Sequence, residues 1–420
     1  MQSNYKSLRD YIKPVNRRNH NSLINDLRGL SLTKKFRTST SNIIGTDMST
    51  YKVMHKNEFA ANFMGLGVLV NKAAIVLKKD KQPNIVSGAY PVFKVIDEQK
   101  LLPDYLMMWF RRSEFDRYCV FKSDKGIRGG FDWDDLCDCL LPIPSIEKQK
   151  EIVKEYNITQ NHIELNNQLI GKFEETAQAI YRQWFVDFEF PDENGKPYKS
   201  NGGEMVWCQE LQKEIPEGWK LRKLKNICSK IGSGSTPSGG KESYFQSGIS
   251  LIRSMNVFDF NFSFENLAFI DEQQANKLKN VEVLEKDILF NITGVSVARC
   301  CIVPSNILPA RVNQHVMIIR PLNDLNLFYY LLCTLCSTDS KNILLGLSQS
   351  GSTREAITKA EIENFAVLLP DSQIMLKFEV LMDKVFSRKS LKNNENQKLE
   401  ELKELLLAKM TRVESEKELV

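Results

Sequence analysis

One segment of this 420-residue chain has the composition of a phosphate-binding loop. Residues 232–243 read GSGSTPSGGKES, and main-chain amides, hydroxyls and a lysine are the groups that hold phosphates. A nucleotide-binding P-loop ends in Gly-Lys-Ser/Thr, whereas Lys241 is followed here by Glu242, and Pro237 removes an amide donor. The pattern therefore argues against ATP binding. It is compatible with contacts from amides and hydroxyls to a DNA backbone.

Other motifs for catalysis or metal binding are incomplete. The CxxC spacing of Cys333 and Cys336 lies in the apolar run YYLLCTLC without a second Cys or His pair, which predicts a buried helix rather than zinc. The PDENGK segment from Pro191 resembles part of a metal-nuclease motif but has no strand before it. The sequence contains no G-x-G-x-x-G after a strand, no Asn/Asp-Pro-Pro-Tyr/Phe and no G-x-S-x-G. We therefore predict no catalytic residue and no metal ligand.

Composition and charge favour a globular chain with one basic region. Hydrophobic residues make up 42% of the sequence, no apolar run reaches membrane-spanning length, and the N-terminus does not resemble a signal peptide. The nine cysteines lack the spacing of a disulfide framework, so a reduced, cytoplasmic protein is expected. Residues 1–145 hold 23 Lys and Arg against 15 Asp and Glu, a balance of +8. Such a balance suits phosphate binding, although ordinary surface charge explains it equally well.

The chain contains an internal repeat. The stretch WDDLCDCLLPIPSIEKQ from Trp133 has the layout of KAEIENFAVLLPDSQIM, which begins 226 residues later at Lys359. Pro144 aligns with Pro370, and each is followed by a helix-capping residue. The alignment runs for 52 residues without a gap and has only six identities, so the evidence is the shared pattern. A globular segment followed by a long helix is therefore predicted to occur twice.

Both copies carry an apolar seam at heptad spacing, with gaps of four and three residues. In the first copy these positions are Ile152, Tyr156, Thr159, Ile163, Asn166, Ile170, Phe173, Ala177, Ile180 and Trp184. In the second they are Phe378, Met382, Val385, Lys389, Lys392, Asn396, Leu399, Lys403, Leu406 and Met410. A helix of about 40 residues, roughly 60 Å long, needs a partner for such a seam. We expect the two helices to pair antiparallel, in preference to each packing only on its own domain.

The globular segments mix strand-like and helix-like runs. KAAIVLKK, YPVFKVI, ISLIRSMNVF, DILFNITG and HVMIIRPL predict strands, and PDYLMMWFRRSEFDRYCVF and LNLFYYLLCTLCSTDSKNILL predict helical segments. No regular βαβ alternation is visible. The predicted fold class is α+β, with two pseudo-symmetric domains separated by an antiparallel pair of long helices. The predicted segments are a first domain (1–144), a central helix (145–188), a connector (189–214), a second domain (215–370) and a distal helix (371–414).

These residues resemble the specificity (S) subunits of type I restriction–modification systems. The first half, with RGLSLTKKF, YLMMWFRRSEFDRY and FDWDDLCDCLLPIPSIEKQ, resembles one type of target recognition domain and its helix. The second half, with IPEGW, GSGSTPSGGKESYF, NITGVSVARCCIVP and GSTREAITKAEIENFAVLLP, resembles a second type. AIYRQWFVDFEFP matches the usual end of the central helix. The resemblance covers nearly the whole chain.

The resemblance implies a function and a set of partners. It implies two recognition domains that each read half of a split double-stranded DNA target, and docking of two methyltransferase subunits and then of restriction subunits. The chain itself would be non-catalytic and without cofactor, with S-adenosylmethionine, ATP and Mg²⁺ on the partner subunits. It would act in the cytoplasm of a bacterial or archaeal cell, at the nucleoid.

DNA contacts are predicted in polar loops flanked by glycine, serine or threonine. Arginine and asparagine can pair with guanine and adenine edges, while lysine, serine and threonine more often hold phosphates. The first-domain candidates are Lys34, Lys35, Arg37, Lys125 and Arg128. The second-domain candidates are Ser235, Thr236, Lys241, Arg253, Asn256, Asn291, Thr293, Arg299, Ser352, Thr353 and Arg354.

Two other classes of function compete with DNA recognition. The first is an enzyme, a DNA methyltransferase or nuclease that carries specificity and chemistry on one chain. Such an enzyme would need a nucleotide-cofactor domain, whereas the repeats occupy all 420 residues. The second is a coiled-coil scaffold whose flanking domains bind protein. DNA binding that depends on both halves of one split sequence would distinguish the favoured function from these two.

Overall fold

A computed structural model describes residues 5–39, 47–67, 69–123, 130–235, 244–349 and 355–411. The chain forms two compact units, residues 1–166 with 394–420 and residues 167–393. The division falls inside both long helices, so each unit contains part of each helix. The predicted segments instead treated the helices as separate from the domains. Among the helices of the described ranges, none has the length and apolarity that a bilayer span requires.

The described part of the first unit contains ten short strands and the start of a long helix. Its strands are β1 (Tyr5–Ser7), β2 (Ile12–Pro14), β3 (Arg28–Leu30), β4 (Phe36–Thr38), β5 (Lys52–Met54), β6 (Glu58–Asn62), β7 (Ala74–Leu77), β8 (Asn84–Val86), β9 (Val92–Val95) and β10 (Leu140–Pro142). Its helices are α1 (Pro103–Arg111), α2 (Ser113–Lys122), α3 (Trp133–Cys137) and the first part of α4 (Ile146–Tyr181). The rest of α4 belongs to the second unit and ends in a π-helical turn, Arg182–Val186. The main sheet has the order β2-β9-β6-β7 and is antiparallel throughout.

The second unit follows the same plan after a two-stranded connector. Its strands are β11 (Met205–Cys208), β12 (Lys213–Pro216), β13 (Lys220–Lys223), β14 (Cys228–Ser233), β15 (Ile249–Ile252), β16 (Ala268–Ile270), β17 (Glu282–Val283), β18 (Ile288–Asn291), β19 (Cys300–Ile302), β20 (Ala310–Val312), β21 (Val316–Pro321) and β22 (Ala366–Leu369). Its helices are α5 (Glu272–Lys277), α6 (Phe328–Cys336), α7 (Thr338–Gln349), α8 (Lys359–Asn364) and α9 (Ser372–Lys409). Its central sheet, β14-β21-β18-β19, repeats the strand order and antiparallel pairing of the first.

The repeat extends to the second sheet of each unit. In the second unit its order is β16-β15-β20-β17, with β15 and β20 parallel. In the first unit β3 pairs with β4 and β5 with β8, and a parallel bridge between Leu27 and Ile85 joins the two pairs. The strand order is therefore equivalent in the two units. This mixed architecture confirms the predicted α+β class.

The strand that precedes each long helix has the same register in both units. Ser7 pairs with Leu140 in the first unit, and Lys223 pairs with Ala366 in the second. Leu140 and Ala366 are the residues that the 226-residue offset aligns. The predicted equivalence of the segments that start at Ser7 and Lys223 is therefore confirmed by hydrogen-bonded partners.

A capping box begins the short helix of each copy. Asp132 and Asp135 exchange side-chain and main-chain hydrogen bonds before α3, and Thr358 and Glu361 do so before α8. These bonds satisfy amides that the first turn of a helix leaves without partners. The two boxes are again 226 residues apart, so a local sequence signal recurs as the same structure.

The helical seam is buried along its length. All ten seam positions of α4 and the adjoining turn are buried or half-buried, and so are the ten of α9. In the first unit Asn166 Nδ2 donates to Asn396 Oδ1 at 3.0 Å, and Lys403 lies over the ring of Tyr156. In the second unit Lys389 pairs with Glu174 at 3.0 Å. From one contact to the next, the residue number increases along α4 and decreases along α9. The predicted antiparallel packing of the two helices is therefore confirmed within each unit.

Each of the two segments that the sequence predicts to be helical, one in each globular part, forms two consecutive helices, α1 with α2 and α6 with α7. The backbone is extended at Arg112, between α1 and α2, and at Ser337, between α6 and α7. Ser337 Oγ accepts from the amide of Ser340, which caps the start of α7. Cys333 is fully buried in α6, as the apolar run around the CxxC motif predicts.

Candidate nucleic-acid interface

A hairpin between the third and fourth strands of the central sheet carries three of the predicted contacts, Asn291, Thr293 and Arg299. In the second unit this hairpin joins β18 to β19, and the amide of Asn291 donates to Arg299 O at 2.8 Å. Its tip turns at Gly294, whose φ of 72° suits a residue without a Cβ. In the first unit β6 and β7 form the equivalent hairpin, with Gly65 at φ 71°.

The two hairpins begin with a shared local pattern. The first unit reads NFMGLG from Asn62 and the second reads NITGVS from Asn291, so asparagine and glycine recur three residues apart. Strand register supports this alignment. Phe59 and Ile288 each lie three residues before the shared asparagine, and they pair with Phe93 on β9 and Ile319 on β21, which are equivalent strands. This pattern is the signal by which the sequence could have located both tips.

Thr293 lies at the base of the second hairpin and is half-buried. Its Oγ1 forms a 2.7 Å hydrogen bond with Nδ1 of His315, and its backbone bridges to Ala356. The amide of Gly294 donates to Glu355 O at 2.9 Å. These bonds attach the hairpin to the chain that follows residue 354. Sequence reasoning missed His315 because it searched histidines only for paired ligand spacing.

Two predicted arginines are held by aromatic rings. The guanidinium of Arg299 lies over Phe258 at 5.1 Å, and that of Arg253 lies over Tyr244 at 5.3 Å. Arg253 also donates to Asn266 O. Stacking orients a planar guanidinium and limits its rotamers, which preserves its capacity to pair with a base edge or phosphate.

Asn256 and Asn291 do not present their side chains on the surface. Both are fully buried. Asn256 Nδ2 donates to Ser263 O at 2.9 Å, and its Oδ1 accepts from the amide of Arg253 at 3.1 Å. Asn291 Nδ2 donates to Ser254 O at 2.9 Å. The expectation that these amides face DNA is corrected: they shape the loop that carries Arg253, because a buried amide needs internal partners.

Lys34 is likewise an internal group. Its side chain is 6% exposed, and its ammonium donates to Asp116 at 2.8 Å and to Phe110 O. Burial lowers the pKa of Lys34, an effect only partly offset by Asp116. The expectation that the side chain of Lys34 contacts DNA is therefore corrected. Its neighbour Lys35 and nearby Arg37 are exposed, and Arg37 Nε donates to Leu30 O at 3.2 Å.

Other candidates lie at or beyond the edges of the described ranges. Ser235 is exposed at the end of a described segment. The candidates outside the described residues are Lys125, Arg128, Thr236, Lys241, Ser352, Thr353 and Arg354.

Within the described ranges, one group of side chains has the donor types of a metal site. Asp259, Cys300 and Cys336 place one ligand atom each within 4.8 Å of the others. Lys341 Nζ lies 2.6 Å from the carboxylate of Asp259, so an ammonium already neutralises the acidic ligand. Burial raises the pKa of the Cys336 thiol well above its ordinary value, which disfavours the thiolate that metals bind.

Comparison with known proteins finds one family model and several relatives that resemble this chain. A family model described as the type I restriction modification DNA specificity domain matches residues 216–401. The MjaIX specificity subunit of Methanocaldococcus jannaschii, a type I restriction enzyme subunit, is 28% identical over 328 residues, 75% of this chain and 70% of that protein. The HindI specificity subunit of Haemophilus influenzae is 21% identical over 358 residues, 74% of this chain and 77% of that protein. Residues 216–401 therefore match the type I restriction modification DNA specificity domain, and about three quarters of the chain is similar to type I restriction enzyme specificity subunits.

The fold is shared with a solved member of this family. The S subunit of a type I restriction–modification system from M. genitalium has a TM-score of 0.55 and 13% identity, covering 98% of this chain and 96% of that one. At this identity the likeness concerns the fold.

Proposed function

We propose that this chain is the DNA-reading subunit of a type I restriction–modification complex and that each unit contacts one half of a bipartite target. The repeat carries the proposal. Two units with one strand order, matched in register at the strand before each long helix, provide two comparable surfaces for two half-sites. The positive balance of residues 1–145 adds attraction for phosphates.

We assign DNA contact to the candidates that remain at the surface. Among the described residues these are Lys35, Arg37, Ser235, Arg253, Thr293 and Arg299. The ring-stacked Arg253 and Arg299 would read base edges, whereas Lys35 and Ser235 would hold phosphates. The seven candidates outside the described residues stay in the proposal on the evidence of sequence alone.

The outer faces of the long helices support docking of protein partners. In the first unit Ile158, Leu165 and Leu405 are exposed, although the opposite face of each helix is packed. In the second unit Leu376, Val380 and Leu391 are exposed. Docking of a partner on these faces would remove the aliphatic side chains from water, which favours association. We assign these faces to two methyltransferase subunits, which then admit restriction subunits.

The chemistry of the complex would reside on those partners. S-adenosylmethionine, ATP and Mg²⁺ would bind there, and this chain would supply no catalytic residue. The complex would act in the cytoplasm of a bacterial or archaeal cell, at the nucleoid. Isothermal titration of the isolated chain with S-adenosylmethionine tests the division of labour. Micromolar binding would favour an enzyme that combines specificity and chemistry.

A domain exchange tests the bipartite assignment. Residues 1–144 are replaced by the corresponding domain of a relative, and the complex with methyltransferase subunits is expressed in a host that lacks other adenine or cytosine modification. Genome-wide mapping of methylated sites should show one half-site changed and the other retained. A change in both half-sites, or in neither, would refute independent reading by the two units.

A further inference from the structure

The hairpin tips of both units expose large apolar side chains. Val295, immediately after Gly294, is 97% exposed. In the longer tip of the first unit, Leu69 is 73% exposed and Met64 is also exposed. An isolated exposed apolar residue is ordinary on a protein surface. Such residues stand at the same hairpin of both units, although not at aligned positions: Gly65 aligns with Gly294, and Leu66, the counterpart of Val295, is buried.

Hydrogen bonds hold both tips in defined positions. In the second unit the amide of Val297 donates to Gly294 O at 2.9 Å, in addition to the bond from Gly294 to Glu355. In the first unit the amide of Leu69 donates to Gly65 O at 2.7 Å, and the amide of Gly67 donates to Val70 O at 2.8 Å. The apolar side chains are therefore presented by ordered turns.

Each tip is attached beside a predicted DNA-contact loop. A Cβ on Gly67 would lie 2.5 Å from Ser123 Oγ, so the first tip packs against the residue that precedes the segment with Lys125 and Arg128. In the second unit the tip bonds to Glu355, the residue after the segment with Arg354. Both tips therefore contact a residue that flanks a predicted DNA-contact loop, Ser123 in the first unit and Glu355 in the second.

We propose that Val295 in the second unit and Leu69, with Met64, in the first contact thymine 5-methyl groups in the major groove, which makes them specificity-determining residues. The inference rests on the proposed DNA-reading function. The thymine methyl is the apolar group that base edges offer in the major groove, and aliphatic side chains match it. Val295 is short and β-branched, and follows a turn, so it suits contact with a methyl group rather than insertion between base pairs.

Uracil substitution tests the contact directly, because uracil differs from thymine only by the methyl group. The complex with methyltransferase subunits is first used to select its target from random duplexes. Binding is then measured on that target with each thymine replaced in turn by uracil. We expect about a four-fold loss at one position in each half-site, the factor that corresponds to about 0.8 kcal/mol for one buried carbon.

Variants assign the contact to a residue. Val295→Ala should abolish the difference between thymine and uracil in one half-site, and Leu69→Ala should do so in the other. The matched control for the second unit is Leu284→Ala, an exposed leucine before the opposite end of β18. Ile96→Ala is the control for the first unit, since this exposed residue follows β9 at the end remote from the tip. Neither control should alter the thymine preference.

The outcomes separate this inference from the function on which it rests. Sequence-specific binding that is insensitive to uracil at every position, or a thymine preference that survives Val295→Ala and Leu69→Ala, would overturn the methyl contact while leaving DNA reading intact. An equal effect of Val295→Ala on thymine and uracil duplexes, with altered DNA bending, would indicate a wedge and also overturn it. A complex that selects no target would overturn both proposals.

Discussion

In each unit an ion pair joins a hairpin to a helix, and the hairpins and helices of the two units are equivalent. The acidic and the basic residue have exchanged places between the units. In the first, Lys34 between β3 and β4 pairs with Asp116 on α2 at 2.8 Å. In the second, Asp259 between β15 and β16 pairs with Lys341 on α7 at 2.6 Å. Asp116 and Lys341 are each the fourth residue of their helix. The repeat therefore preserves the contact while exchanging its charges, which shows that geometry was retained more strictly than residue type.

A second contact shows the same retention with different chemistry. The amide of Leu102, at the start of α1, donates to Gln149 on α4 at 2.9 Å. At the start of α6, the amides of Tyr329 and Tyr330 donate to Glu379 on α9 at 3.1 and 2.7 Å. In both units, therefore, a side chain of the long helix caps the start of an earlier helix, α1 in the first unit and α6 in the second. The cap is neutral in the first unit and ionisable in the second, so only the second should respond to pH.

The largest expected effect concerns the ion pair of the first unit. Lys34→Ala leaves the buried Asp116 carboxylate without its cationic partner and should destabilise that unit by about 3–5 kcal/mol. Lys341→Ala should cost about 1 kcal/mol, because Lys341 is 17% and Asp259 45% exposed, and water replaces the lost partner. Hydrogen-exchange protection of α2 and α7 would measure each unit separately. Lys35→Ala, at an exposed neighbour, is the control, and equal losses for the two lysines would contradict the difference in burial.

The pH response of the second unit is the next largest effect. Burial raises the pKa of Glu379 to about 7, although the two amides favour its charged form. The folded unit therefore binds a proton more tightly than the unfolded chain. This contribution to stability is complete below about pH 4.5 and declines as pH rises through 7, by roughly 3 kcal/mol.

Glu379→Gln should remove this decline between pH 5 and 8, as measured by exchange of the α6 amides. Gln149→Glu sharpens the comparison, because Gln149 Nε2 also donates to Lys100 O and Pro144 O at 2.8 and 2.9 Å. A carboxylate there would face two carbonyl oxygens, so the first unit should become less stable as pH rises. Parallel pH profiles for wild type and Glu379→Gln would exclude this carboxyl group as the source.

The smallest expected effect is also the most symmetric. Asp132→Ala and Thr358→Ala each remove the side-chain acceptor of a capping box and should destabilise their units by about 1 kcal/mol each. The two losses should be similar and additive, since the boxes belong to different units. Thermal unfolding of the two single variants and the double variant would measure them. A markedly larger loss in one unit would show that tertiary contacts, rather than capping, determine the contribution of that box.

Local sequence signals determined the repeat, the paired helices and five of the strands, β7, β9, β15, β18 and β21. Heptad spacing predicted the buried seam from Ile152 to Trp184 because a helix presents residues three and four apart on one face. The 226-residue offset aligned two capping boxes and two strand registers, since caps and the start of a long helix depend on neighbouring residues. The family resemblance supplied the expectation of DNA recognition.

Only the tertiary structure decided which side chains of the polar segments face solvent. Lys34 and Lys35 are adjacent and chemically alike, yet one is buried against Asp116 and the other is exposed. Asn291 is buried, and its side chain donates to backbone carbonyls more than thirty residues away in sequence. Val295, an apolar residue, is by contrast almost fully exposed. Burial depends on contacts between distant segments, and those contacts cannot be read from the composition of a loop.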